Sequence, residues 1–374
     1  MKKLYFKTLY GVNQIVFNVG ESGKVKANFD PVYGRKFAFG SSANVKHNLK
    51  EKFCELSGLE TPEVQFKKKV QYKDDTIKIG SKENDEQGGV STFIDVNNFS
   101  PVPVIFGAWA SDMKKGTKKY VKTAMKSCIQ VSDMRPVHPL LQKLSDPDTG
   151  VFVGDRNSSI VLAIDNDTLY TPEDALEFVK GKNGKITIDD VKELFNQRKM
   201  NLYEDKETAT GIYEETFAIE IETFGKVDLS SIDISEEDKN TLKGKGWEEI
   251  EINKEKYLSP GKERLMELWT FLVDAMLSWD FSSNNSLHGN RKEPLRYSIS
   301  MDGNKIAYCN SATTYTNDNG KLTATLSLLD HKSVLNFNTP ALGKWHTCQD
   351  MKLDIDAEEK VRETLINFGH EYIV

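Results

Sequence analysis

The chain has 374 residues, of which 38% are hydrophobic and 28% charged, a globular composition that excludes wholesale disorder. That length suits one large domain with insertions, or two domains. No apolar run approaches the roughly 20 residues a bilayer span needs, and Lys7 interrupts the basic and then apolar start too early for a secretory leader.

Cysteines 54, 128, 309 and 348 lie far apart and form no CxxC pair, as expected of thiols in a reducing compartment. The expectation is a cytoplasmic protein with no membrane partner. The net charge of −6 hides an asymmetry. Residues 1–140 carry 23 Lys and Arg against 14 Asp and Glu, while the remainder carries 27 against 42. Basic charge gathered in one part can neutralise phosphates despite an acidic total, although charge runs are also the ordinary dress of solvated faces.

In chain order, residues 4–18 suit strands interrupted near Gly11. Residues 19–40, with five glycines and prolines, read as a loop with short extended pieces. A helix then starts at Ser41 or Ser42, either of which can cap it. Val45, Leu49, Phe53 and Leu56 mark its apolar stripe, Lys46, His47 and Lys50 its basic face, and Gly58 its stop. Residues 62–73 fit a strand and 74–91 a polar loop or hairpin. An apolar segment runs from Val102 to Trp109, followed by the lysine-rich stretch 111–126, which includes Lys114 and Lys115. Cys128–Val131 reads as a strand leading to Arg135. Short helices are expected near 172–180 and 187–198, a clear strand over 209–224, and a long helix over 262–278. Strands near 295–301, 305–309 and 322–328 precede a terminal helix near 356–368. The order suggests an α+β sheet packed by helices, compatible with a ferredoxin-like core.

Most familiar catalytic signatures are missing from the sequence. There is no Walker A run, no GxGxxG after a strand, no HExxH and no Cys/His pair of zinc spacing. Asp165-Asn166-Asp167 matches only half of a calcium loop and reads as a polar turn. The aromatic signature of an RRM is absent as well.

Four stretches share an order. They are Asp30-Pro31, Gly34-Arg35 and Gly40-Ser41-Ser42 with Lys46; Pro103–Trp109; Ser127–Ser132; and Gly211–Ile221. In that order they resemble the CRISPR RAMP superfamily, specifically the backbone subunit of Cascade-type effectors, the "Cas-seven" family. Two departures mark a divergent member. Ala108-Trp109 stands where an arginine usually follows Phe-Gly, and Asp133 stands where that family has a histidine.

The resemblance implies an α+β fold shaped like a right hand. A modified ferredoxin-like or RRM palm would carry finger and web insertions, with fingers at about 60–100, a thumb within about 135–160 and a helical insertion at 165–208. It also implies a subunit that binds crRNA, stacks with other copies of itself and joins other CRISPR effector subunits in antiviral defence. Target nucleic acid would be met through guide pairing, and no cofactor is needed. The RNA-binding candidates are Arg35, Gly40, Ser41, Ser42, Lys46, His47, Lys50, Trp109, Lys114, Lys115 and Arg135. In physical terms, backbone amides of Gly40, Ser41 and Ser42 at a helix start could cradle a phosphate, with Arg35 and Lys46 neutralising its neighbours. Met134 and Phe152 are the candidates for a wedge between guide bases, and both also suit core positions. An enzymatic alternative has Asp30 holding Mg²⁺ to cleave target RNA. A third reading is a metal-independent processing nuclease with His47 as its base.

Overall fold

The computed structural model describes residues 2–15, 17, 27–31, 35–59, 70–73, 76–79, 100–113, 120–144, 162–163, 169–170, 209–230, 236–281, 291–308, 311–318, 321–345 and 352–373. The strand pattern of the first residues forms one long strand, β1 (Lys3–Ile15). The expected break at Gly11 does not occur, because this glycine lets the strand pass directly beneath the ring of Trp345. The strand bends instead through register shifts at Leu9/Tyr10 and between Val12 and Ile15.

A hairpin follows, β2 (Ala27–Asp30) and β3 (Arg35–Ala38), and then helix α1 (Ser42–Ser57). Strands β4 (Val70–Lys73) and β5 (Thr76–Ile79) form a second hairpin. After the one-turn helix α2 (Val102–Phe106) come the paired strands β6 (Ala108–Met113) and β7 (Tyr120–Met125). Short strands β8 (Ile129–Val131), β9 (Arg135–Pro136) and β10 (Gln142–Leu144) precede the small pair β11 (Leu162–Ala163) and β12 (Leu169–Tyr170). The clearest sequence strand is β13 (Ala209–Glu220).

Next lie β14 (Val227–Asp228), α3 (Glu236–Gly244), β15 (Glu248–Ile252) and β16 (Glu255–Ser259), whose strands form a separate three-stranded sheet. Helix α4 (Lys262–Ser278) leads to β17 (Arg291–Ser300), the short helix α5 (Gly303–Tyr308) and the pair β18 (Ser311–Asp318) and β19 (Lys321–Leu328). The described chain closes with β20 (Leu335–Asn338), α6 (Leu342–Trp345) and α7 (Ala357–Tyr372). The strand expected at 305–309 is the helix α5. The Asp302 carboxylate accepts the Asn304 N–H at 3.0 Å, and its carbonyl accepts that of Ile306 at 3.2 Å, so a helix start overrides the apolar alternation.

The main sheet runs β10-β13-β1-β17-β20, with β8 and β9 also on β13, and every pairing is antiparallel. Alternation along β1 sorts its side chains. Leu4, Phe6, Tyr10 and Val12 join the large core beneath the helices, whereas Leu9 joins a smaller cluster with Ile212, Leu295, Leu326 and Leu342. Helix α4 buries Leu265, Leu268, Trp269, Leu272, Val273 and Met276, the stripe its spacing predicts. Trp269 anchors the layer. Its Nε1–H donates to the Leu365 carbonyl at 2.9 Å, Phe224 meets it edge to face at 5.2 Å, and Gly369 leaves room for its indole.

Residues 135–144, the first part of the expected thumb, belong to the edge of the main sheet through β9 and β10. Phe152 and the rest of that segment lie outside the described residues, as do both helices expected within 172–198. Among the described residues no helix is long and apolar enough to cross a membrane.

Candidate nucleic-acid interface

Helix α1 forms as its sequence dictates. Ser41 accepts the Asn44 N–H at 3.3 Å as N-cap, and Gly58 closes the other end at φ 66°, in the left-handed region that favours glycine. Val45, Leu49 and Phe53 are buried, but Leu56 is 37% exposed and stands outside the stripe. His47 is exposed and Lys50 half-buried on the outward side. Lys46 turns inward. Its Nζ donates to Ser127 Oγ at 2.7 Å, and burial lowers its pKa from the ordinary lysine value.

The turn before α1 is fixed from outside. Gly40 and Met134 exchange two backbone hydrogen bonds, Gly40 N–H to Met134 O at 3.0 Å and Met134 N–H to Gly40 O at 2.8 Å. A Cβ on Gly40 would stand 2.8 Å from the Phe281 ring, so glycine permits this close approach. The Ser42 N–H donates to Asp133 Oδ1 at 2.8 Å. Asp133 is held in turn by Arg135, whose Nε and Nη2 lie 3.1 and 2.5 Å from Oδ2.

These contacts correct the expected phosphate cradle. The amide of Gly40 is committed to Met134, and that of Ser42 already holds an anion, the Asp133 carboxylate. The helix dipole and the Arg135 fork are what a phosphate would use, and Asp133 uses both. Partial burial raises the Asp133 pKa, but the Arg135 and Ser42 hydrogen bonds outweigh it and hold the carboxyl below the usual range. Met134 is also corrected as a wedge. It is fully buried and belongs to the core, so swinging out between a pair of bases would open a cavity behind it.

Arg35 opens β3, directly opposite Asp30 in the hairpin register. Trp109 lies in β6, opposite Ala124. Lys114 and Lys115 fall outside the described residues. No group of three His, Cys, Asp or Glu among the described residues could hold a metal. The Asp30 side chain itself lies outside the described part of the structure.

Behind the turn lies a buried polar cluster that the sequence does not announce. Glu215 Oε1 accepts hydrogen bonds from Tyr10 Oη at 2.7 Å and Trp279 Nε1 at 3.1 Å. The Lys292 ammonium sits 3.2 Å over the Trp279 ring and 4.5 Å over that of Tyr10. Burial lowers the Lys292 pKa to about 8 and raises that of Glu215 against the opposing pull of Lys292. Between about pH 8 and the ordinary lysine value near 10.4, the unfolded state binds its proton and the folded state does not. Stability from this group therefore rises with pH across that window. Lys292→Met leaves Glu215 buried without its ammonium and removes this titration, so it is expected to lower the melting temperature at pH 7, with the gap to wild type widening towards pH 10.5. Thermal unfolding at both pH values measures it, and a gap independent of pH would refute the assignment.

The described architecture is an antiparallel α+β sheet, helix-backed, with a rooted hairpin leading into a helix whose outward side carries His47 and Lys50 beside the exposed Glu51 and Glu55. No family model matches the sequence, and no curated protein matches it. Among solved structures, two chains come from assemblies described as a "CRISPR RNA-guided surveillance complex", one of them in a pre-nicking state. The first is 9% identical with a TM-score of 0.34, covering 79% of this chain and 68% of that one. The second is 8% identical with a TM-score of 0.35, covering 79% and 75%. The crystal structure of Thermofilum pendens Csc2 is similar at 10% identity and a TM-score of 0.25, covering 81% and 68%. At such scores the fold and the function rest on the chain's own strand order and contacts.

Proposed function

We propose that this chain is a divergent backbone subunit of a Cascade-type CRISPR effector, one that binds crRNA, lines up with further copies of itself and contacts other effector subunits. Target nucleic acid would be met through pairing with the guide, which leaves the protein to hold the backbone. The observation that carries this reading is convergence. The four stretches that carry the sequence resemblance, spread from Asp30 to Ile221, meet around one place. Gly40 bridges to Met134, just past the third stretch, and Lys46 reaches Ser127. The Cys128 N–H donates to Ile105 of the second stretch at 3.2 Å, and β8 pairs with β13 of the fourth.

Strand order supports the palm reading too. The path β17-β1-β13-β8 is wholly antiparallel, with α1 between β1 and β8 and α4 between β13 and β17. That is the order and sense of a split β-α-β ferredoxin-like sheet. The hairpins β4–β5 and β6–β7 would then be finger or web insertions.

The test is purification without nuclease treatment, with the particle mass measured by light scattering and any bound RNA sequenced. A large particle carrying one class of repeat-derived RNA is the expected result. An RNA-free chain that stays so when supplied with a guide would overturn the reading. On the same preparation, His47→Glu with Lys50→Glu is expected to weaken RNA binding with no base preference. The salt slope should fall by about 0.7 for each phosphate that the helix no longer neutralises. An unaltered slope would place the phosphate path away from α1.

A further inference from the structure

We propose that Phe29 and Lys36, on the β2–β3 hairpin, form a stacking clamp for one unpaired nucleobase of a bound single strand. This rests on the RNA-binding reading above and adds to it a contact made by an aromatic face. Phe29 is 62% exposed, and it is the one aromatic ring among the exposed large hydrophobic side chains of the described residues. The hairpin register sets it directly opposite Lys36, which is also exposed. Directly opposed residues of an antiparallel pair project on the same face within contact range. A flat apolar ring and a lysine therefore share one face of the hairpin.

The mount is rigid. At the hairpin's root the Ala38 N–H donates to Gln142 Oε1 at 3.0 Å, and the Ala38 carbonyl accepts the Tyr213 hydroxyl at 3.3 Å. The rings of Phe37 and Phe39 lie 6.3 Å apart just behind, and Gly40 is tied to Met134. A hairpin rooted in this way loses less freedom when a base stacks on its ring than an unanchored loop would.

The ligand chemistry follows from the setting. The chain neighbours of Phe29 are Asn28 and Asp30, and its cross-strand neighbour is a lysine. An apolar protein socket would have to accept the Lys36 side chain on the same face as this single ring. A nucleobase offers a π-face to the ring and an anionic phosphate to the lysine, and every base has such a face, so the contact tolerates any sequence. The strand would pass from the clamp towards the outward side of α1, which begins at Ser42 only four residues after Ala38.

The test uses the full chain with single-stranded RNA carrying 2-aminopurine at successive positions. For wild type, at least one position should show quenched fluorescence on binding. Phe29→Ala is expected to abolish that quenching and weaken binding between about five- and a hundredfold. Phe29→Trp should retain both, and Lys36→Ala should keep the quenching while lowering the salt slope. Binding and quenching unchanged in Phe29→Ala would overturn the clamp and leave the RNA-binding reading standing. A fall in particle mass with quenching intact would overturn it in favour of a contact between protein copies. A wild-type chain that binds no RNA would overturn both.

Discussion

Glu215→Leu is expected to lower the unfolding free energy by about 3–5 kcal/mol, the range for removing one partner from a buried charge cluster. The carboxylate is 1% exposed and accepts from both the Tyr10 hydroxyl and the Trp279 indole, while Lys292 lies close enough to pull its pKa down. Leucine fills much of the space and offers none of the acceptors. Two buried donors and one buried ammonium are then left without their partner. Glu215→Gln keeps an acceptor oxygen and is expected to lose much less. Urea unfolding of the three proteins at pH 7 measures the difference. A leucine variant as stable as wild type would show that the cluster does not depend on its carboxylate.

The second large effect is on binding, and its sign is opposite to its effect on stability. Asp133 caps α1 through the Ser42 N–H and occupies the Arg135 fork. Asp133→Ala frees both groups and removes a negative charge from the proposed RNA path. RNA affinity is expected to rise about tenfold, the equivalent of roughly 1.4 kcal/mol. Stability should fall by about 1 kcal/mol, as for the loss of a helix cap and a favourable charge at its start. Asp133→Asn separates the two effects, since its side-chain oxygen can still accept from Ser42 while the charge is gone. Filter binding and thermal unfolding on the same samples give both numbers. Affinity that falls together with stability would mean that the carboxylate supports the RNA path and does not block it.

Periodic elements were legible and long-range contacts were not. Helix α1 could be read end to end because a serine cap, a stripe at helical spacing and a left-handed glycine all agree. Strand β13 and helices α4 and α7 follow from their apolar patterns in the same way. The sheet β14-β16-β15 was missed because glutamates and lysines outnumber apolar residues along β15 and β16. For the site, sequence located the turn and the helix that follows it. It did not reveal that Ser42 would find an anion 91 residues away, or that Lys46 would turn inward to Ser127. Glu215 and Lys292 look like ordinary surface charges in a strand pattern, and only the pairing of β1 with β13 and β17 encloses them. Phe29 carried no local signal, because exposure depends on what fails to cover a residue.

The central place of β1 also bears on how the chain is made. Its two neighbours are β13 and β17, with Lys3 opposite Glu220 and Tyr5 opposite Ser300. The second partner of Tyr5 is therefore some 295 residues downstream. At about 5–20 residues per second of synthesis, the first strand waits roughly 15–60 s for its last neighbour. Leu4, Phe6 and Val12 must be sheltered through that interval, and such distant pairing is slow even after release. Yield in a cell-based preparation should accordingly respond more to chaperone supply and growth temperature than to substitutions on the finished surface.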